Sequence, residues 1–144
     1  MKIIIEVPHE GEDEQIIVKC HRIDPALLDV LNTIKAGGGM LIAHIGNEIH
    51  RVNPSDIYYI ESVDNKTFLY GKREVYESKQ KLYELEESAM RDFLRISKSV
   101  IVNMSKIKYL VPALSGRLEA VLTNGEKVII SRQYVQALKK SLGM

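Results

Sequence analysis

Between Phe93 and Asn103 the chain reads Phe-Leu-Arg-Ile-Ser-Lys-Ser-Val-Ile-Val-Asn. Two cations and two hydroxyls (Arg95, Lys98, Ser97, Ser99) thus sit among apolar positions that can anchor them. Further along, Ile129-Ile130-Ser131-Arg132-Gln133-Tyr134 repeats the idea, with an apolar strand end, a Ser-Arg pair and the start of a helix. Short cationic and hydroxylic segments held by rigid β-structure can grip phosphate oxygens and base edges. A guanidinium such as Arg132 can take guanine O6 and N7, or a phosphate, with two parallel bonds. Catalysis has no comparable arrangement behind it. Glu and Ser are abundant, but none is spaced with a partner that would activate it, so a non-enzymatic binder is expected. His9, His21, His44 and His50 all lie in the N-terminal part, and no pair has the spacing of a zinc motif. Cys20 and His21 are neighbours on an expected strand and point to opposite faces. Neither a metal nor a cofactor is expected.

The elements that must hold those segments follow from composition and patterning. At 144 residues the chain is one ordinary domain, or one domain with a small appendage. Apolar residues at 45% and charged residues at 27% are enough for a core under a solvated surface. No apolar run reaches the length of a membrane span, and the first residues lack the long apolar core of a secretion signal. The single cysteine, Cys20, excludes an internal disulfide and fits a reducing cytoplasm. The net charge of +1 conceals an asymmetry: residues 1–52 carry −3 and residues 53–144 carry +4. The C-terminal part is therefore the better suited to a polyanion.

Lys2–Val7 and Gln15–Cys20 read as strands around an acidic loop. Asp24 and Pro25 start a helix whose Leu27, Leu28, Leu31 and Ile34 share a face, and Gly37-Gly38-Gly39 ends it. This predicts a small β-β-α unit over residues 1–44. From Met40 the pattern turns to short strands: Met40–Ile45, Glu48–Val52, Asp56–Ser62, Thr67–Tyr70 and Glu74–Tyr76. After a short helix from Ser78 or Lys79 to about Ala89 come Phe93–Ile96, Ser99–Val102, Ile107–Val111, Leu118–Leu122 and Val128–Ile130. Gly46-Asn47 and Asn124-Gly125 mark hairpin turns. Ser131–Leu142 closes as a helix with Tyr134, Val135, Leu138 and Leu142 inward. Closely spaced strands joined by tight turns predict a mainly β, α+β overall, antiparallel domain over residues 45–144. One of Tyr58 and Tyr59 belongs to the core, and Asn103 bonds local backbone where its strand ends.

These C-terminal landmarks resemble the LytTR family of bacterial DNA-binding domains. The resemblance rests on Asp56-Ile57-Tyr58-Tyr59-Ile60-Glu61, the helix Leu82–Glu87, and Phe93-Leu94-Arg95-Ile96-Ser97-Lys98-Ser99. Ile101-Val102-Asn103, Ile107, Leu118, Asn124-Gly125 and Ile130-Ser131-Arg132-Gln133-Tyr134 complete it, over about residues 45–142. It implies an elongated set of small β-sheets with short helices, reading successive major grooves through loops and strand ends. Arg132, Lys98, Ser97 and Arg95 would then meet DNA, Arg95 with an alternative pairing to an acidic neighbour. The loop Asp64-Asn65-Lys66-Thr67 would touch a neighbouring groove through Asn65 and Lys66. Ser97 stands where many members carry His, which alters that contact. Many members also carry a receiver domain, which fifty residues cannot hold, so the chain looks like the stand-alone type.

The resemblance implies a cytoplasmic transcription regulator on double-stranded DNA with repeated half-sites, acting as a homodimer. The acidic N-terminal unit would dimerise or hold a protein partner, since phosphates repel it. The rival is a protein-interaction adaptor that has lost its DNA role and partners a membrane or regulatory protein.

Overall fold

The computed structural model describes residues 2, 4–35, 40–88 and 91–144. Among these, all the strands pair antiparallel in two sheets. The larger sheet is built from β1 (Leu41–Ile45), β2 (Glu48–Val52), β3 (Ile57–Val63), β4 (Lys66–Gly71), β5 (Val75–Ser78), β6 (Phe93–Arg95) and β7 (Val100–Asn103), in the order β2-β1-β5-β4-β3-β7-β6. The smaller contains β8 (Ile107–Pro112), β9 (Leu118–Leu122) and β10 (Lys127–Ile130), ordered β10-β9-β8. The helices are α1 (Pro25–Lys35), α2 (Leu82–Glu87) and α3 (Arg132–Ser141).

Alternation along β3 and β7 divides the interior in two. Ile57, Ile60 and Ile101 join Leu69, Leu82 and Leu85 on one side. Tyr58 and Val102 face the other way, into a second core with Ile96, Leu122, Ile130 and Leu138. A strict period of two cannot put Ile57 and Ile60 on one face. A register shift between Ile57 and Tyr59 opposite β4 resolves this, because the extra residue of a bulge resets the alternation. Tyr58 is thereby buried, and Tyr59 lies half-buried against Tyr70, the two rings stacked with centroids 4.4 Å apart.

The bulge belongs to a turn that the chain uses twice. Asn53-Pro54-Ser55-Asp56-Ile57 and Asn103-Met104-Ser105-Lys106-Ile107 both run through one 3-10 turn into a strand. In each, the Asn side-chain oxygen accepts from the Ser N–H, at 3.0 Å from Ser55 and 3.1 Å from Ser105. In each the strand that follows shifts register within two residues, the second time between Ile107 and Tyr109. Asn103 thus bonds local backbone as expected. Its amide also reaches across the sheet, donating to the Ile57 carbonyl at 2.8 Å.

Several expectations change. The described residues of Lys2–Val7 and Gln15–Cys20 form no strands, and Ile4, Ile5, Val7, Ile16 and Ile17 stay largely exposed. Residues with high strand propensity do not suffice for a strand, whose backbone groups need a neighbour, and no described strand pairs with this segment. The expected β-β-α unit is therefore represented by its helix. There Asp24 Oδ1 accepts from Leu27 N–H at 2.8 Å, a side-chain cap before Pro25. Leu27 and Leu31 are half-buried while Leu28 is 48% exposed. Gly37-Gly38-Gly39, Ala89 and the Ile34 side chain lie outside the described residues.

The helix α2 begins at Leu82, later than Ser78 or Lys79. Ser78 is still paired with Thr67 in the sheet, and its hydroxyl accepts from Gln80 N–H at 3.1 Å. In the closing helix Val135 and Leu138 are buried, whereas Leu142 is 43% exposed beyond the last turn.

Candidate nucleic-acid interface

One backbone bond joins the two cationic motifs. Ser131 N–H donates to the Ile96 carbonyl at 2.9 Å, linking the end of β10 to the turn between β6 and β7. Ile96 and Ile130 beside it are fully buried, so the junction is fixed from beneath. Ser97 and Ser131 consequently line one open groove with Tyr59, Glu61, Arg117 and Lys127.

The 97–99 turn is built from short bonds. Ile96 N–H donates to the Val100 carbonyl at 3.0 Å, Ser99 N–H to Ser97 Oγ at 3.2 Å, and Ser62 N–H to the Ser99 carbonyl at 2.8 Å. Lys98 is exposed at its tip, and Ser97 is half-buried. Arg95 is placed differently. Its Nε donates to the Ser97 carbonyl at 2.7 Å, one Nη to the Lys98 carbonyl, and the other Nη to Glu86 Oε2 at 2.7 Å. Three of its five donors are spent inside the protein. The alternative pairing with an acidic neighbour is the one formed, and the side chain is only 21% exposed.

Arg132 opens α3 and is exposed. Among the described residues neither its guanidinium nor the Lys98 ammonium has an ion-pair partner. Its stem lies over Gly116, in the turn between β8 and β9: a Cβ there would sit 3.0 Å from Arg132 Cδ and 3.2 Å from Cγ. Gly116 also holds φ +75°, a region that costs L-residues about 1 kcal/mol or more. Gly116→Ala should therefore lower stability by about 1 kcal/mol and turn Arg132 away from its position. Urea unfolding and a DNA titration of the same variant check both parts.

The Asp64-Asn65 turn joins β3 to β4, with φ 50° and 63° at its two residues. These left-handed angles are those of the two-residue hairpin turn that favours Asn and Asp. Asn65 and Lys66 are exposed. The Asn65 carbonyl accepts from Lys81 Nζ at 3.0 Å, which ties this turn to the start of α2.

The groove's phenol is strongly perturbed by its surroundings. Burial, and after it the Glu126 carboxylate, pushes the Tyr59 hydroxyl well above the ordinary phenol value. Burial and Glu61 raise Tyr70 likewise. Both stay neutral in the folded protein where an unfolded phenol would ionise. The folded state therefore holds protons that the unfolded state releases, and stability falls as pH rises past about 10. Unfolding by guanidinium at about pH 9 and about pH 11.5 should show a smaller decline in Tyr59→Phe than in wild type.

Sequence reading missed three features here. The Ser131–Ile96 bond is invisible because it joins backbones distant in the chain. Lys127 reaches the groove through its strand pairing. Arg117 and Gly116 were open to detection, since Ser115-Gly116 between two strands is a turn signal. Among the described residues no group of three or more His, Cys, Asp or Glu is placed to hold a metal ion. No described helix is long and apolar enough to cross a membrane.

Comparison with known proteins agrees with this architecture. Residues 47–143 match the model of the LytTr DNA-binding domain. An HTH-type transcriptional regulator of Staphylococcus aureus (strain NCTC 8325 / PS 47) is 31% identical over 146 residues, spanning 100% of this chain and 99% of the relative. The sensory transduction protein LytT of Enterococcus faecalis is 31% identical over 99 residues, 68% of this chain and 41% of that protein. A solved LytTr DNA-binding domain from Bacillus cereus superimposes with a TM-score of 0.69 at 28% identity, covering 73% of this chain and 97% of that one. The staphylococcal relative's name refers to a helix-turn-helix, yet in this chain the whole strand series from β6 to β10 separates α2 from α3. The family match and the shared antiparallel fold lead to one conclusion: the chain belongs to the LytTr DNA-binding domain family.

Proposed function

We propose that this protein is a sequence-specific regulator of transcription that reads duplex DNA through turns and strand ends. Arg132 and Lys98 contact bases or phosphates in one major groove, with Ser97 beside them. Asn65 and Lys66 reach a neighbouring groove. Arg95 holds the turn that carries Lys98. The observation that supports this reading is the Ser131–Ile96 bond, which ties the start of α3 to the turn between β6 and β7; among the described residues neither Arg132 nor Lys98 has an ion-pair partner. The role is binding, without chemistry on the DNA. Two copies on repeated half-sites supply the affinity that one small domain lacks.

The test is a titration of labelled DNA from the protein's own promoter region beside shuffled DNA, at two salt concentrations. Selective binding that weakens steeply with salt supports the reading, since each neutralised phosphate contributes a slope of about 0.9. Equal, salt-insensitive binding to both sinks it. The adaptor reading draws on the exposed Ile4, Ile5, Val7, Ile16 and Ile17 of the N-terminal segment. In that case Arg132→Ala leaves partner affinity unchanged.

A further inference from the structure

We infer that Glu86 is a positioning residue for DNA recognition, acting through Arg95 on the turn that presents Lys98. This rests on the reading of Lys98 and Ser97 as DNA contacts. Glu86 lies in the last turn of α2 and is itself about half-exposed, with its carboxylate 2.7 Å from Arg95. The same guanidinium donates to the carbonyls of Ser97 and Lys98. These carbonyls flank the Lys98 backbone on both sides. The planar fork has a fixed geometry, so anchoring one end to a helix fixes where its other donors aim. Helix α2 is in turn seated by Leu82 and Leu85, buried at 6% and 1% exposure. The core therefore sets the turn's position through helix, carboxylate and guanidinium in series.

The sign of the effect separates this role from simple charge. An acidic side chain near a polyanion repels it, so deleting a merely solvated Glu86 would tighten DNA binding. A positioning Glu86 predicts the reverse. Glu86→Ala should weaken operator binding by about two- to fivefold, the scale of a half-exposed ion pair. Glu86→Gln, which keeps an acceptor but loses the same charge, should recover most of that loss. The dependence of affinity on salt should be unchanged, because Glu86 neutralises no phosphate. Without DNA, the Ser99 and Val100 amides should exchange hydrogen faster in Glu86→Ala than in wild type, while those of β9 keep their rates.

Operator titrations of wild type, Glu86→Ala and Glu86→Gln, with hydrogen exchange on the free proteins, decide the matter. Weaker binding by Glu86→Ala with recovery in Glu86→Gln is the expected result. Wild-type selectivity with equal or tighter binding by both variants overturns this inference alone. Wild type that fails to select any operator overturns it together with the DNA reading.

Discussion

Arg132→Ala is expected to cost operator affinity roughly 5- to 150-fold, the range for losing one two-pronged contact with a base. The urea midpoint should stay at the wild-type value. The asymmetry follows from where the side chain sits. Arg132 is exposed at the first position of α3, and no described carboxylate pairs with it, so the folded protein loses little when it is cut back. On DNA the expected loss is larger, because under the proposed contact a desolvated base edge or phosphate would keep no substitute donor. Lysine in its place keeps the charge but not the fork. Arg132→Lys should thus retain salt-dependent binding to shuffled DNA while losing preference for the operator. Anisotropy titrations of the three proteins on both DNAs give the answer. Wild-type affinity and selectivity in Arg132→Ala would remove this residue from the interface.

Asn103→Ala should destabilise the fold by about 2–4 kcal/mol, through several polar groups losing their partner together. The side chain is 1% exposed and works in both directions. It donates to the Ile57 carbonyl at 2.8 Å and accepts from Ser105 N–H at 3.1 Å and Ser105 Oγ at 2.7 Å. Ile57 is fully buried, so water does not readily replace the lost donor. Asn53 makes the equivalent bonds to Ser55, at 3.0 Å and 2.9 Å, on the exposed surface. Its truncation should cost about 1 kcal/mol, the usual figure for a cap. Chemical unfolding of the two variants makes the comparison internal. Equal losses would show that the cross-sheet bond to Ile57 contributes nothing. Asn103→Asp sharpens the point: it keeps the acceptor for Ser105 but sets a carboxylate oxygen against a carbonyl. A proton relieves that clash, so its deficit relative to wild type should shrink as pH falls.

Most of the strand series from Leu41 to Ile130 was legible because local signals and global needs coincide there. Gly46-Asn47 and Asn124-Gly125 fix their turns, and β10 alternates as a one-sided strand must, while β9 buries Ala120, Val121 and Leu122 in succession. The N-terminal strands were misread because the β-branched runs in Lys2–Val7 and Gln15–Cys20 carry no information about whether a pairing edge exists. Bulges escaped for a related reason: Ile57-Tyr58-Tyr59-Ile60 has uniform β propensity, and only the two cores reveal which ring turns inward. At the candidate interface the cations were visible as residue types. Which acidic residue would take up the Arg95 charge was not, since Glu86 reaches it only through the packing of α2 against β6 and β7.

The turn at Lys98 also bears on how such a protein can change over generations. Its neighbours hold position 98 by the carbonyl oxygen, and every residue type has one. Among the described residues the side chain there makes no hydrogen bond or ion pair. New side chains can be tried at that site with little effect on folding, so under the proposed function mutation is free to sample new operators there. Position 95 has no such liberty, because its guanidinium is the fixture.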